Sequence, residues 1–221
     1  MSYIKCGNNI MCWNADISIN TFLFGIFAIV FIFLANTYTK YKQDTFKNPL
    51  MYLLLLEIAS MQLIEFILWR NLKNEKINKL LTSIASYIII SQPLTIILMI
   101  QNKKILLPIL ICYLLFSIIQ RLFISKPGIT TIKNGHLSWG WININDKITV
   151  FMLLSFYMLS SYFVNYVLFL FTIITLFISL FFYFKDNTFG SMWCWSFNIF
   201  LLYCIIDILI IKPFKEYNGI C

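Results

Sequence analysis

The sequence has few charged residues. Only 12% of its 221 residues are Asp, Glu, Lys or Arg, roughly half the share found in soluble domains. Hydrophobic residues make up 60% of the chain, above the usual share of about 45–50%. A soluble fold cannot bury so much isoleucine, leucine and phenylalanine, so the composition predicts a single-domain membrane protein.

Residues and motifs that many enzymes require are also missing. His136 is the only histidine, which excludes a His-rich metal site, and we expect neither a metal nor another cofactor. The sequence contains no nucleophile elbow, Walker loop, HExxH or CxxC motif. An enzyme that modifies lipids is therefore the least favoured class. A retinal protein is excluded because the last predicted helix has no internal lysine, Lys212 standing at its end.

The net charge of +8 does not indicate nucleic-acid binding. The 17 Lys and Arg residues stand singly or in pairs between apolar segments, where they anchor a protein to anionic lipid headgroups. No basic face with stacking aromatics is available to water. The expected partner is the lipid bilayer, together with a small ion or solute if the protein transports one.

Seven apolar segments are each long enough to form a membrane-spanning helix, which predicts an all-α polytopic bundle. The predicted helices cover approximately residues 20–38, 49–69, 80–100, 105–124, 148–162, 165–184 and 192–211. A polar leader, 1–19, precedes them and a short tail, 212–221, follows. The tract 148–184 is divided at the polar cluster between Ser160 and Asn165. Pro93 predicts a kink that frees the carbonyl of Ile89, and Pro213 predicts the end of the seventh helix.

The longest connection, residues 125–147, joins the fourth and fifth predicted helices. It contains the turn pairs Pro127-Gly128 and Asn134-Gly135, and the segments beside Asn134-Gly135 are short, β-branched and aromatic. This pattern is typical of a β-hairpin. We expect a compact lid on the membrane surface that contains a small hairpin.

Seven crossings place the N-terminus and the lid on one side of the membrane. Lys40, Lys42 and Lys47 follow the first predicted helix and only Lys5 precedes it, which favours an outside N-terminus by the positive-inside rule. The count over the whole chain points the other way. Cys6, Cys12 and Cys194 share the lid side, and a Cys12–Cys194 or Cys6–Cys12 disulfide can form there if that side is oxidising.

All six tryptophans map to the lid side. They are Trp13, Trp69, Trp139, Trp141, Trp193 and Trp195. An interfacial aromatic belt is one interpretation, although belts usually occupy both membrane faces. The others are packing of the lid and leader onto the helix ends, and an aromatic box for a ligand.

Polar residues inside the predicted helices are the candidate functional groups. We expect a polar path lined by Glu57, Gln62, Gln92 and Asp207. Glu57 is the leading candidate for a functional residue, because no basic residue lies at the same depth in the membrane. Glu65 and Arg121 are expected to form an ion pair. The alternative is that these side chains only lock helices together.

Three short motifs in the sequence are similar to those of a known group of proteins. They are Met61-Gln62 with Glu65 and Trp69, then Ser91-Gln92-Pro93, then Trp193-Cys194-Trp195. The set resembles uncharacterised seven-helix membrane proteins of large DNA viruses and protists, which implies a membrane location and no catalytic residue. The first functional hypothesis is a small transporter or channel. The alternative is a non-catalytic scaffold or receptor-like protein of a virion or organelle membrane.

Overall fold

The computed structural model describes residues 14–121, 128–140 and 147–219. Within these ranges the chain is helical apart from one β-hairpin. The helices are α1 (Ala15–Tyr38), α2 (Pro49–Asn71), α3 (Glu75–Leu98), α4 (Lys103–Ile119), α5 (Lys147–Val164), α6 (Tyr166–Tyr183), α7 (Phe189–Ile206) and α8 (Lys212–Tyr217). The strands are β1 (Thr131–Lys133) and β2 (His136–Ser138), and a 3₁₀ turn covers Asp44–Phe46.

The chain is an all-helical membrane protein with five candidate membrane-spanning helices among its described residues. These are α1, α2, α3, α6 and the continuous helix Phe189–Tyr217, which joins α7 to α8. The apolar part of α5, Ile148–Val164, is shorter, and α4 has only 17 residues. The membrane class is thus confirmed, whereas the count of seven crossings stays a prediction.

Asparagine side chains begin five of these helices. Each accepts a hydrogen bond from a backbone N–H of the first turn, which satisfies a donor that the helix leaves unpaired. The capping residues are Asn14, Asn48, Asn74, Asn102 and Asn165. Two predicted boundaries were wrong because these caps were overlooked: the first helix begins at Ala15 rather than 20, and the third at Glu75 rather than 80.

The predicted division of the tract 148–184 is confirmed. Helix α5 ends at Val164, and Asn165 accepts hydrogen bonds from the amides of Val167 at 2.8 Å and Leu168 at 3.1 Å. The Asn165 amide also donates to Thr45 Oγ1 at 3.3 Å. One residue therefore ends α5, starts α6 and ties their junction to the connection between α1 and α2.

The prediction that Pro213 ends the last helix is wrong. A π turn over Asp207–Ile211 joins α7 to α8, and Pro213 lies in the first turn of α8. The wider π turn shifts the register of the backbone hydrogen bonds. Pro213 therefore lies in a first turn, where a helix leaves N–H groups unpaired, and its lack of an N–H costs no hydrogen bond. Residues 212–217 of the predicted tail are consequently helical.

The predicted β-hairpin is confirmed. Lys133 pairs with His136 across a two-residue turn, in which Asn134 and Gly135 have φ values of 48° and 78°. Positive φ at both central residues is the requirement of a type I′ turn. Residues 125–127 and 141–146 of the predicted lid lie outside the described residues, and its placement on the membrane surface stays a prediction.

The hairpin is part of the packed core. All three residues of β2 are buried, and Leu137 and Trp139 belong to the main apolar cluster, which α1, α2, α3, α5 and α7 also supply. Gly25 of α1 faces Ala59 of α2, where an added Cβ would lie 3.4 Å from the Ala59 Cβ. Such small residues let neighbouring helices approach closely. The core therefore lies between these helices, with the hairpin at one end.

Candidate interior polar site

Two polar side chains on one face of α2 are buried without partners. Gln62 is 2% exposed and Glu65 is 0% exposed. Among the described residues, neither amide atom of Gln62 and neither carboxyl oxygen of Glu65 has a hydrogen-bond partner. A buried polar group without a partner is costly, and an ionised one much more so. This pair is the least satisfied polar feature of the described bundle.

Side chains from two other helices surround Glu65. Ser18 of α1 and Ser191 of α7 lie within interaction range of its carboxyl group, yet neither makes a hydrogen bond of normal geometry to it. Both serines are buried, Ser18 completely. The thiol of Cys194, one turn beyond Ser191, is also within electrostatic range. Two helices, α1 and α7, thus direct serine hydroxyls towards one carboxyl group of α2.

The predicted ion pair between Glu65 and Arg121 is not formed. Arg121 Nη2 donates to Ser86 Oγ at 2.9 Å, and the guanidinium lies 3.8 Å from the ring centroid of Tyr87. Arg121 lies two residues beyond the end of α4 and contacts α3, whereas Glu65 faces α1 and α7. The pairing was predicted only from the similar depth of the two residues in the membrane, but their side chains face different helices.

Glu57 lies on a different face of α2. Its Oε1 accepts a hydrogen bond from Thr95 Oγ1 of α3 at 3.1 Å, and its other oxygen is buried without a partner. Eight residues separate Glu57 from Glu65, which corresponds to about 12 Å along the helix and a rotation of about 80°. Glu57 is half-buried at the α2–α3 contact. The two carboxyl groups therefore belong to separate environments.

Tyr157 of α5 forms hydrogen bonds at the point where Pro93 interrupts the backbone hydrogen bonding of α3. Its hydroxyl bonds to Gln92 Oε1, and the carbonyl of Ile89 lies 3.3 Å away as a second acceptor. Ile89 is the residue whose intrahelical bond Pro93 removes. The Gln92 Nε2 has no partner among the described residues. Sequence reasoning missed Tyr157, because nothing in the pattern of an apolar helix shows which residue faces a distant proline.

A cavity of about 30 Å³ lies beside Gln92. Its polar lining consists of Gln92, Tyr157, Thr172, Thr175, Trp193 and Cys194. Trp193 Nε1 donates to Thr175 Oγ1 at 3.2 Å, and its ring meets Tyr157 edge to face at 4.9 Å between centroids. The rest of its lining, which includes Leu54, Ile58 and Phe197, is apolar. Cys194 lies both in this lining and near Glu65.

Asp207 is not part of this interior site. Its Oδ2 accepts from Gln43 Nε2 at 2.9 Å and lies 3.7 Å from Lys212 Nζ. Gln43 also donates to the carbonyl of Cys204 at 3.0 Å. Asp207 therefore clamps the connection between α1 and α2 to the end of α7. The four residues of the predicted path share no hydrogen bond or ion pair with one another.

Two of the tryptophans pack inside the bundle. Trp139 is 1% exposed, and its Nε1 donates to Ser191 Oγ at 2.9 Å. Trp193 is half-buried and lines the cavity, and Trp69 and Trp195 are half-buried as well. Trp13 and Trp141 lie outside the described residues. Trp139 therefore packs the hairpin onto α7, which agrees with one of the three interpretations, the packing of the lid onto the helix ends.

The cysteines and the acidic residues of the described part form no metal cluster. No group of three His, Cys, Asp or Glu side chains is placed to hold a metal ion within these ranges. Cys194 is a buried free thiol, while Cys6 and Cys12 lie outside the described residues. Comparison of the chain with protein-family models, with curated proteins and with solved structures finds no match.

Proposed function

We propose that this protein is a seven-helix integral membrane protein that moves protons or a small cation through the interior of its bundle. The observation that carries the proposal is Glu65, which is fully buried and has no hydrogen-bond partner on either oxygen among the described residues. Ionisable side chains inside membrane helices are expensive, face the bundle interior and mark ion or proton pathways.

Helix α2 supplies the polar groups of the proposed path. Glu65 and Gln62 lie on one face of the helix, and Glu57 lies about 12 Å away on the face towards α3. The cavity beside Gln92 and Tyr157 lies between these positions and α7, because Ile58 of α2 and Cys194 of α7 both line it. A proton or small cation can be passed among such groups through bound water. Glu65 rather than Glu57 is now the leading functional residue.

Hydrogen bonds hold a chain segment at each end of the described bundle. At one end the hairpin is held by the hydrogen bond between Trp139 and Ser191. At the other, Gln43 bonds to Asp207 and to the carbonyl of Cys204. Transport requires one of these ends to open, as in proteins that alternate access around a central site.

The crossings by α4 and α5 belong to the proposal. Both helices pack on α3 through a second apolar cluster of Ile97, Ile100, Tyr113 and Phe156. Their outward faces present Leu107 and Phe151, which are 57% and 66% exposed. Apolar faces of this kind suit lipid. An outside N-terminus, as the basic residues after α1 favour, completes the proposed topology.

Flux in liposomes tests the function. Purified protein is reconstituted with an internal pH-sensitive dye, and proton and alkali-cation gradients are applied in turn. Wild-type protein is expected to dissipate at least one gradient, and Glu65→Gln is expected to lower that flux at least tenfold. Glu75→Gln, the same substitution at an exposed position in the first turn of α3, serves as the matched control and should keep the flux.

A non-catalytic scaffold is the second candidate. It is favoured by the clamps that tie separate segments together, such as Asn78 to Thr130 and Gln43 to Asp207. A scaffold predicts no flux of protons, sodium or potassium from protein whose folding is verified by its thermal transition. In that case Glu65→Gln is expected to raise stability, because it removes a buried ionisable group at no functional cost.

A further inference from the structure

We propose that Glu65, Gln62, Ser18 and Ser191 form a binding site for one monovalent cation of the size of sodium. This inference rests on the proposed function, since it names the ligand of the same interior site. Ser18 of α1 and Ser191 of α7 lie within interaction range of Glu65, and Gln62 precedes Glu65 by three residues on the same face of α2. Its test measures binding, so it can fail or succeed independently of transport.

The available ligands are all oxygens. Glu65 supplies a carboxylate, Gln62 an amide carbonyl, and Ser18 and Ser191 supply hydroxyls. Hard cations of groups 1 and 2 select such oxygen sets, whereas soft metals select thiolate. The Cys194 thiol is close to Glu65 but is the only sulfur among the groups described at the site. The donor set therefore favours a hard cation over zinc or copper.

Charge selects a monovalent ion. Glu65 is the single carboxylate of the site, and the described salt bridges place no basic side chain against it. A monovalent cation makes the buried site neutral, whereas a divalent cation leaves one uncompensated positive charge in the bundle interior. Burial of an unpaired charge is strongly unfavourable. Calcium and magnesium should consequently bind much more weakly than sodium.

The geometry also fits a bridging ion better than direct contacts. Ser18 Oγ, both Gln62 polar atoms and both Glu65 oxygens are buried without a hydrogen bond. Ser18 and Ser191 nevertheless lie within interaction range of the carboxyl group. Oxygens that share one cation are held near each other without bonding to each other. A proton on Glu65 would remove the charge but could bond to only one neighbouring oxygen, whereas a cation can bind the oxygens of Glu65, Gln62 and Ser18 together.

The hairpin controls access to the proposed site. Ser191 already accepts a hydrogen bond from Trp139 Nε1 at 2.9 Å, and its remaining lone pair is available to a cation. Trp139 is 1% exposed and belongs to the hairpin packed against the main apolar cluster. We therefore expect that a cation reaching Glu65 past Ser191 displaces Trp139. Slow exchange of the bound ion is the expected consequence.

Thermal unfolding in detergent tests the binding. The transition temperature is measured at pH 8 in sodium chloride and in N-methylglucamine chloride of equal ionic strength. If sodium is present at about ten times its Kd, the transition should rise by about 3–6 °C. Protons compete for the same carboxylate, so the increment should shrink at pH 5. Potassium should give a smaller increment, and calcium at millimolar concentration a smaller one still.

Two variants separate a specific site from a general salt effect. Glu65→Gln should lose the sodium increment while unfolding at a higher temperature than wild type in sodium-free buffer. Glu75→Gln should keep the full increment. No increment in wild type at pH 8, or an equal increment in Glu65→Gln, would overturn the site. Sodium-dependent stability without any flux would support the binding site and reject transport. Flux without a sodium-dependent rise in the transition temperature would support transport and reject the binding site.

Discussion

The side chain of Asn78 in α3 forms hydrogen bonds with both backbone polar groups of Thr130, which directly precedes the first strand of the hairpin. Asn78 Nδ2 donates to the Thr130 carbonyl at 2.9 Å, and Asn78 Oδ1 accepts from the Thr130 amide at 2.9 Å. Thr82 Oγ1 adds a contact with Thr130 Oγ1 at 2.7 Å. Asn78 and Thr130 are 0% and 1% exposed. One buried amide side chain thus docks the hairpin onto the helical bundle.

Substitution Asn78→Leu should detach the hairpin. It leaves the buried Thr130 amide and carbonyl unpaired, which costs about 2–4 kcal/mol of folding free energy. The expected result is a lower transition temperature together with faster amide exchange in residues 130–138. Asn74→Leu, which removes an exposed helix cap, is the control. It should lower the transition temperature without selective exchange in the hairpin, and selective exchange in both variants would contradict the docking role.

Gly140 should not tolerate alanine. A Cβ at Gly140 would lie 2.5 Å from the carbonyl oxygen of Ile129, and the Gly140 carbonyl accepts a hydrogen bond from Gly128 at 3.0 Å. Backbone must shift to relieve such an overlap, at a cost of about 1–3 kcal/mol. Gly25→Ala, where the added Cβ would meet the Ala59 Cβ at 3.4 Å and Asn198 Oδ1 at 3.9 Å, is expected to be near neutral. Equal thermal shifts in the two variants would refute this prediction.

Stability should fall in acid because of His136. Burial lowers the pKa of this histidine from its usual value of 6.5, and Asp186 opposes the shift. Below pH 6.5 the unfolded chain binds the proton more readily than the folded one, so the free energy of unfolding decreases with decreasing pH. This loss continues until the pH drops below the folded pKa. Well above pH 6.5 both states are neutral and His136 contributes no pH dependence.

Transition temperatures measured from pH 7.5 to pH 5 provide the test for His136. Wild type should lose stability over the lower part of that range, and His136→Gln should lose less. The sodium-free buffer removes competition between protons and sodium at Glu65, and the comparison with His136→Gln cancels the pH dependence that other groups add to both proteins. Identical profiles for the two proteins would show that His136 is protonated equally in both states.

Gln43 should contribute more to stability than its position in a loop indicates. Its amide donates to Asp207 at 2.9 Å and to the Cys204 carbonyl at 3.0 Å, and the residue is 8% exposed. Gln43→Leu breaks both bonds and should cost about 2–3 kcal/mol. Asp44→Asn, at the neighbouring exposed pair with Lys47, should leave the transition temperature unchanged. A large effect at Asp44 would show that the loop is held differently.

Several features of this fold could be predicted because they follow from local sequence. Asn134-Gly135 supplies the two positive φ values of a type I′ turn wherever the hairpin lies. Asn165 interrupts an apolar tract and caps the helix that follows, so the division of 148–184 was also predictable. Pro213 was misjudged for a local reason as well, since a π turn before it removes the conflict that proline creates in an ordinary helix.

The site was only partly predictable. Gln62 and Glu65 stand out as polar residues in an apolar helix, and the structure buries both. Their neighbours could not be identified, because Ser18 and Ser191 look like ordinary helical serines and lie far from Glu65 in the sequence. The pairing of Glu65 with Arg121 failed for the same reason. Depth along a helix can be counted from the sequence, but rotation towards a particular neighbour cannot.

The sequence by itself determined the membrane class, the helix caps and the hairpin turn, since each depends on composition or on contacts within a few residues. Only the tertiary structure decided which polar groups meet. It joined Asn78 to Thr130 and Gln43 to Asp207, and it left Glu65 beside two serines without a hydrogen bond. Those outcomes depend on how α1, α2, α3 and α7 pack, and packing is a property of the whole chain that no single segment specifies.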